Sequence, residues 1–273
     1  MQHLQKGKYY GVHKKITDIN GLIITDTEYT HDKVDWHYHE NIYFTFILAG
    51  RLHEANKKES YDCIPGTLLF HNWQEAHYNI KPPGYTRGFH IEIENKWMKN
   101  FSLQKKIPAG SLRIEHPSIK SFIRKIYLHS KKDESDAQIS IDELLIQVLN
   151  FTERESENKS SAVPQWVKKL KEILNEEQPD KISLKYLSDE LEIHPVHISR
   201  GFSKYFNITI GEYLRKIKIE KSVLLFDDES KSLSEITYTC GFADQSHFNR
   251  CFKEVYNLTP LQYRQRSGIS LRS

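Results

Sequence analysis

The chain has little cysteine, with Cys63, Cys240 and Cys251 its only three in 273 residues. Thiols so few and so far apart form no disulfide framework, so the chain reads as one that folds without cross-links in a reducing cytoplasm. It has no run of about eighteen apolar residues, which excludes a membrane-spanning helix. Its opening, MQHLQKGKYYGVHKK, lacks the apolar centre of a secretory signal. Strong net charge is also missing, since 39 Lys and Arg against 36 Asp and Glu leave a formal +3. Attraction to a polyanion has to come from where the charges lie, not from their sum.

What is present supports two kinds of domain. The hydrophobic fraction of 38% is enough for globular cores, and the length allows more than one. After an opening tail and a candidate strand at Leu22–Thr25, short strand-like segments follow at Ile42–Leu48, Leu52–Ala55, Tyr61–Ile64, Thr67–Phe70, His77–Ile80 and Gly88–Ile93. Ala49-Gly50, Asn56-Lys57, Pro65-Gly66 and Pro82-Pro83-Gly84 punctuate them, a pattern that predicts a small β-sandwich or barrel. The spacing then changes to helical. Ile119, Phe122, Ile123 and Ile126 form one apolar stripe, and Ile141, Leu144, Leu145, Val148 and Leu149 another. ERESENKSSAVP, residues 153–164, is poor in bulky apolar residues and reads as a linker. The predicted division is 1–113 barrel, 114–152 helical segment, 153–164 linker and 165–273 all-helical domain, an α+β multidomain chain.

The last hundred residues contain a repeat. HISRGFSKYFNITIGEY (197–213) aligns without gaps on HFNRCFKEVYNLTPLQY (247–263), and His, Arg, Phe, Asn, Thr and Tyr coincide. In the second copy Asp244 is placed to cap a helix running to about Tyr256. Phe248, Cys251, Phe252 and Val255 fall on one face and Ser246, Asn249, Arg250 and Lys253 on the other. A short helix capped by Ser232, the Gly241-Phe242 break and this two-faced helix make a helix-turn-helix arrangement. Segments 194–221 and 246–273 hold eleven Lys and Arg against three Asp and Glu, whereas 165–193 and 222–245 hold six against twelve. The basic segments coincide with the donor-bearing helices, which suits a nucleic-acid partner.

CGFADQSHFNRCFKEVYNLTPLQYR resembles the C-terminal signature of the AraC/XylS family of bacterial transcription regulators, with its Gly-Phe, Arg-x-Phe-Lys, Thr-Pro and Tyr-Arg; HPVHISR is similar to the family's first helix-turn-helix. Asn257, and Asn207 in the first copy, stand where the family has glycine; asparagine tolerates the left-handed helix end that position needs. WHYHENIYFTFILAG and IPGTLLFHNWQEAH look like the family's cupin-type arm. The resemblance implies a cupin-like sensor barrel, following helices that in the family often carry a dimer contact, and a double helix-turn-helix domain that binds double-stranded DNA. For the two apolar stripes, core alone and core plus dimer contact both stay open.

The side chains expected at DNA are Val196, Ser199, Arg200, Ser203 and Lys204 on the first reading helix, and Gln245, Ser246, Asn249, Arg250 and Lys253 on the second. Arg215, with Lys216, Lys218 and Lys221, is available to phosphates from a long helix over 209–226. That helix would set the two readers one DNA turn apart, about 34 Å. In the barrel, His37, His39, Tyr43 and His77 are the expected effector contacts, while His53, His71 and His90 add nothing decisive. No cofactor is assigned. His37, His39 and His77 are a possible metal set, but Tyr43 and Phe44 stand where the metal-binding pattern wants a carboxylate. The function so implied is a non-enzymatic, effector-responsive, cytoplasmic transcription regulator, a homodimer with RNA polymerase as a further partner. The alternative is a metal-dependent cupin enzyme fused to a DNA-binding domain. A third reading, DNA repair by a sacrificial cysteine, needs an exposed, activated thiol.

Overall fold

The computed structural model describes all residues except Met1, 105–106, 108–109, 133–136, 161–163, 177–180 and 268–273, with the backbone alone at 154–160 and 175–176. The chain divides into two compact units, residues 1–115 with 122–153 and residues 116–121 with 154–273.

The first unit is built on eleven strands. They are β1 (Gln2–Leu4), β2 (Val12–Ile19), β3 (Leu22–Glu28), β4 (Lys33–His39), β5 (Ile42–Ala49), β6 (Leu52–Asn56), β7 (Ser60–Cys63), β8 (Leu68–His71), β9 (His77–Ile80), β10 (Arg87–Ile93) and β11 (Leu112–Ile114). One sheet runs β1-β4-β9-β6-β7 and the other β11-β8-β5-β10-β3-β2. A shared cluster of Ile47 and Leu69 from one sheet with Leu52, Tyr61 and Cys63 from the other joins them into the barrel-like double sheet. Helix α1 (Asn95–Asn100) follows β10, and α2 (Pro117–Ser130) and α3 (Ala137–Ser160) come after β11. β5 and β10 are buried at every residue, on both faces. The guanidinium of Arg124 lies 4.6 Å over the Phe46 ring and Tyr127 meets Phe89 edge to face at 5.1 Å, so α2 covers one face while the barrel interior takes the other. The nearly continuous apolar run of β5 follows from that double burial, whereas β10 buries Arg87, His90 and Glu92 between apolar residues. Inside the sheet, Arg87 is held by a two-pronged ion pair with Asp26, at 2.6 and 2.5 Å.

Two expectations need correcting here. The opening residues are not a tail. Gln2–Leu4 pairs in parallel with His37–His39, and β2 forms the sheet edge against β3. The segment from 153 is not all linker, because α3 continues as helix to Ser160; residues 161–163 of the expected linker lie outside the described residues. The apolar stripes serve the core, with Ile123, Ile126, Ile141, Leu145, Val148 and Leu149 fully buried.

The second unit is helical: α4 (Gln165–Glu176), α5 (Leu184–Leu191), α6 (Pro195–Phe206), α7 (Ile210–Leu225), α8 (Leu233–Thr239), α9 (Gln245–Tyr256) and α10 (Pro260–Ser267). Val167, Leu170, Leu174, Leu187, Leu191, Ile198, Phe202, Phe206 and Tyr213 form the core of its first half. Trp166 packs so closely on Gly201 that a β-carbon there would come within 2.5 Å of its ring, so residue 201 has no room for a side chain. In the second half Phe226, Phe248, Phe252, Tyr256 and Tyr263 pack ring against ring.

Candidate nucleic-acid interface and barrel cavity

Each helix of the repeat starts at a side-chain cap. Ser183 accepts from the Tyr186 amide at 3.0 Å, His194 Nδ1 from Val196 at 3.3 Å, Thr209 from Glu212 at 3.2 Å and Asp244 from His247 at 2.7 Å. Ser232 and Glu235 form a reciprocal capping box on α8. These caps set where each helix begins, and the apolar spacing then decides which face turns outward. Ile198, Phe202 and Phe206 of α6, and Phe248, Cys251, Phe252 and Tyr256 of α9, are buried. Every one of the eleven side chains expected at DNA is exposed: Val196, Ser199, Arg200, Ser203, Lys204, Arg215, Gln245, Ser246, Asn249, Arg250 and Lys253. The two helices therefore present guanidinium, ammonium, amide and hydroxyl donors on open faces, with Val196, 49% exposed, as an apolar contact.

Other basic residues are already engaged. Lys218 Nζ donates to the Gly241 carbonyl at 2.7 Å and Lys216 Nζ to the Ser118 hydroxyl at 3.0 Å, so these two are fold contacts, not free phosphate ligands. Arg264 donates to the carbonyls of Phe226, Lys231 and Asp228 and closes α10 onto the α7–α8 loop. Leu224 of α7 is 39% exposed.

The barrel cavity is lined by His37, His39, Tyr43 and His77, the four side chains expected there, and by others that sequence reading set aside or did not consider, among them Tyr9, Tyr29, Glu54, Asn79 and His90. Its free volume is small, about 20 Å³. The packing of rings accounts for this. Tyr9 stacks on His90 at 3.9 Å and on His39 at 4.9 Å, Tyr43 stacks on His71 at 4.2 Å, and His37 lies 4.2 Å from His77. Burial lowers the imidazoles of His37, His39 and His71, and brings His77 and His90 down to about 3, so all five are neutral at pH 7. Burial also pushes the Glu54 carboxyl up to about 8. His71 and His90, discounted from sequence, are thus part of the buried cluster. The signal was the pairing of strands: β8 places His71 beside Tyr43, and β10 places His90 beside Thr45. His53 is different, lying toward solvent with its Nδ1 2.8 Å from Asp62.

All three thiols are buried. Burial pushes Cys240 up to about 11 and raises Cys63 and Cys251 as well, the reverse of an activated nucleophile.

Residues 187–266 match the family model described as a helix-turn-helix domain. The chain is 27% identical over 164 residues to the HTH-type transcriptional activator RhaR of Mannheimia succiniciproducens, covering 57% of this chain and 58% of that one. It is 33% identical to the C-terminal domain of the two-component response regulator yesN from Fusobacterium nucleatum, covering 36% of this chain and 97% of that one, with a TM-score of 0.33. It is 15% identical to ToxT K231A of Vibrio cholerae, covering 91% and 98% of the two chains, with a TM-score of 0.38. The chain spans about half the length of the first curated relatives it matches.

Proposed function

Because the chain ends in a helix-turn-helix domain of the AraC type, we propose that it is a sequence-specific, DNA-binding transcription regulator. The observation that carries this reading is the pair of capped helices α6 and α9, each with its apolar face buried and its donor face open. A helix in the major groove reads base edges through such donors, and neighbouring basic side chains neutralise phosphates. Arg200 and Arg250 occupy the same place in the two copies, suited to the O6 and N7 of guanine, while Asn249 and Gln245 suit adenine. α7, a single helix of sixteen residues between the two copies of the repeat, acts as the spacer. One protomer then reads two successive major-groove segments about 34 Å apart.

In the same reading the barrel is the sensing part, with the cavity at His37, His39, Tyr43 and His77 as its ligand site, and the chain is not an enzyme. The buried, proton-retaining cysteines oppose a repair nucleophile. Work on chromosomal DNA places the protein in the cytoplasm, and a homodimer and RNA polymerase are the macromolecular partners that such work involves.

Genome-wide mapping of bound DNA followed by footprinting on one recovered site tests the reading. It calls for two protected segments on one face of the duplex, one helical turn apart, per protomer. Protection of a single groove segment, or none at low salt, overturns it.

A further inference from the structure

Glu54, His71 and His77 come from three strands, β6, β8 and β9, and one ligand atom from each lies within 4.8 Å of the other two. Their exposures are 4%, 2% and 3%. As plain packing this cluster is poorly satisfied. Nε2 of His71 is buried with no hydrogen-bond partner, although buried polar atoms are nearly always paired. Nδ1 of His71 stands 3.5 Å from Oε1 of Glu54, beyond a good hydrogen bond.

The surroundings hold these groups as outer partners hold metal ligands. His77 Nδ1 donates to the Glu75 carbonyl at 3.3 Å, which leaves its Nε2 with the lone pair, 3.0 Å from the Tyr43 hydroxyl. With its amide turned so that the nitrogen faces Glu54, Asn79 donates to Oε2 at 3.2 Å and fixes the carboxylate. The adjoining cavity, which Glu54 and His77 line, has about 20 Å³ of free space, that of one water or one ion.

We propose that Glu54, His71 and His77 bind one divalent transition-metal ion, of the zinc, cobalt or nickel class. Two imidazoles and one carboxylate select such ions over calcium or magnesium, which take oxygen ligands. His37 and His39 form a second set with His77, also within 4.8 Å. Three neutral imidazoles bring no charge to a buried dication, whereas the Glu54 carboxylate does, and an uncompensated buried charge is costly. The carboxylate missing at Tyr43 on β5 is thus supplied from β6. The Tyr43 hydroxyl turns aside as the ion takes the His77 lone pair. The site adjoins the cavity assigned above to a ligand, and binding of the ion does not depend on the chain binding DNA, so this site and the DNA-binding reading fail separately.

The test is titration of the full-length chain, stripped with EDTA, with Co²⁺ followed by visible absorbance, and then displacement by Zn²⁺. Circular dichroism checks the fold of each variant. The expected result is one Co²⁺ per chain, displaced by one Zn²⁺, with affinity lowered at least about 10-fold in Glu54→Gln, His71→Asn and His77→Gln and unchanged in His53→Gln on the outer side of β6. Should Glu54→Gln not fold, His71→Asn decides. No stoichiometric Co²⁺ binding by the folded chain overturns the site. Binding that survives Glu54→Gln or His71→Asn but is lost in His37→Asn places the ion in the three-histidine set and overturns the assignment.

Discussion

Asn207 and Asn257, fifty positions apart, end their helices in the same left-handed conformation, with φ of 58° and 54°. Each backbone amide donates to the carbonyl four residues back, Ser203 at 3.1 Å and Lys253 at 2.8 Å. The duplication visible in the letters is therefore a duplication of helix stops, and the side chain that replaces glycine is one that tolerates positive φ. Asn257→Ala, which forces a β-carbon without a polar partner into this conformation, is expected to destabilise the helical unit by about 1 kcal/mol, and Asn257→Gly by less than about 0.5 kcal/mol. Urea unfolding followed by helical ellipticity measures both, and equal losses for the two variants would contradict the backbone argument.

Arg264 offers a second test of the same unit. Its guanidinium spans three carbonyls at the α7–α8 loop, at 3.0, 2.9 and 2.5 Å. Arg264→Ala leaves those carbonyls without this donor and is expected to cost about 2–3 kcal/mol of stability. Arg264→Lys restores charge but not the planar fork, so it recovers less than half of the loss. Calorimetric melting of the three proteins compares them directly, and full rescue by lysine would show that charge alone matters.

Arg250 separates recognition from stability. It is exposed on α9 and belongs to no ion pair described in the structure. Arg250→Ala is expected to leave the melting temperature unchanged and to weaken binding at a mapped site by about 1–3 kcal/mol, with relaxed preference at one base position. An equal loss on random DNA, with a salt slope smaller by about one, assigns the side chain to a phosphate instead. Competition binding at two salt concentrations distinguishes the two outcomes.

The helical unit was readable in the sequence because its information is local. Caps such as Ser183, Thr209, Ser232 and Asp244 act within three residues, and the apolar spacing of α6 and α9 is that of one helix face. The barrel was legible only in outline. β1 and β2 were missed because Gln2–Leu4 is recognisable as a strand only beside β4, and Val12–Ile19 carries apolar residues on its exposed side, Val12 and Ile16 at 59% and 54%. The cavity was half seen for the same reason. His37 and His39 stand out two residues apart, whereas Glu54, His77 and His90 reach it, and His71 its neighbour Tyr43, only through strand pairings across tens of residues. The linker was misread from 153 to 160 because polar composition does not distinguish an exposed helix from a loop.

Among the five buried imidazoles that link the stability of the barrel to acid, His90 is the one given no ligand role. His90 is 1% exposed, with Nδ1 3.0 Å from the Thr25 hydroxyl and Nε2 2.8 Å from the Tyr29 hydroxyl, and burial lowers it to about 3. In the unfolded chain it titrates near 6.5. Between these values the unfolded state binds the extra proton, so the neutral buried ring contributes fully above pH 6.5 and its contribution is lost as the pH falls toward 3. From pH 7 to pH 5 that loss is about 2 kcal/mol for one such histidine. His90→Gln keeps a polar group at the site without a titrating one. It lowers stability at pH 7, yet reduces the difference between pH 7 and pH 5 by about 2 kcal/mol. Urea unfolding of both proteins at the two pH values measures the difference, and an unchanged difference would show that His90 is already protonated in the folded barrel at pH 5.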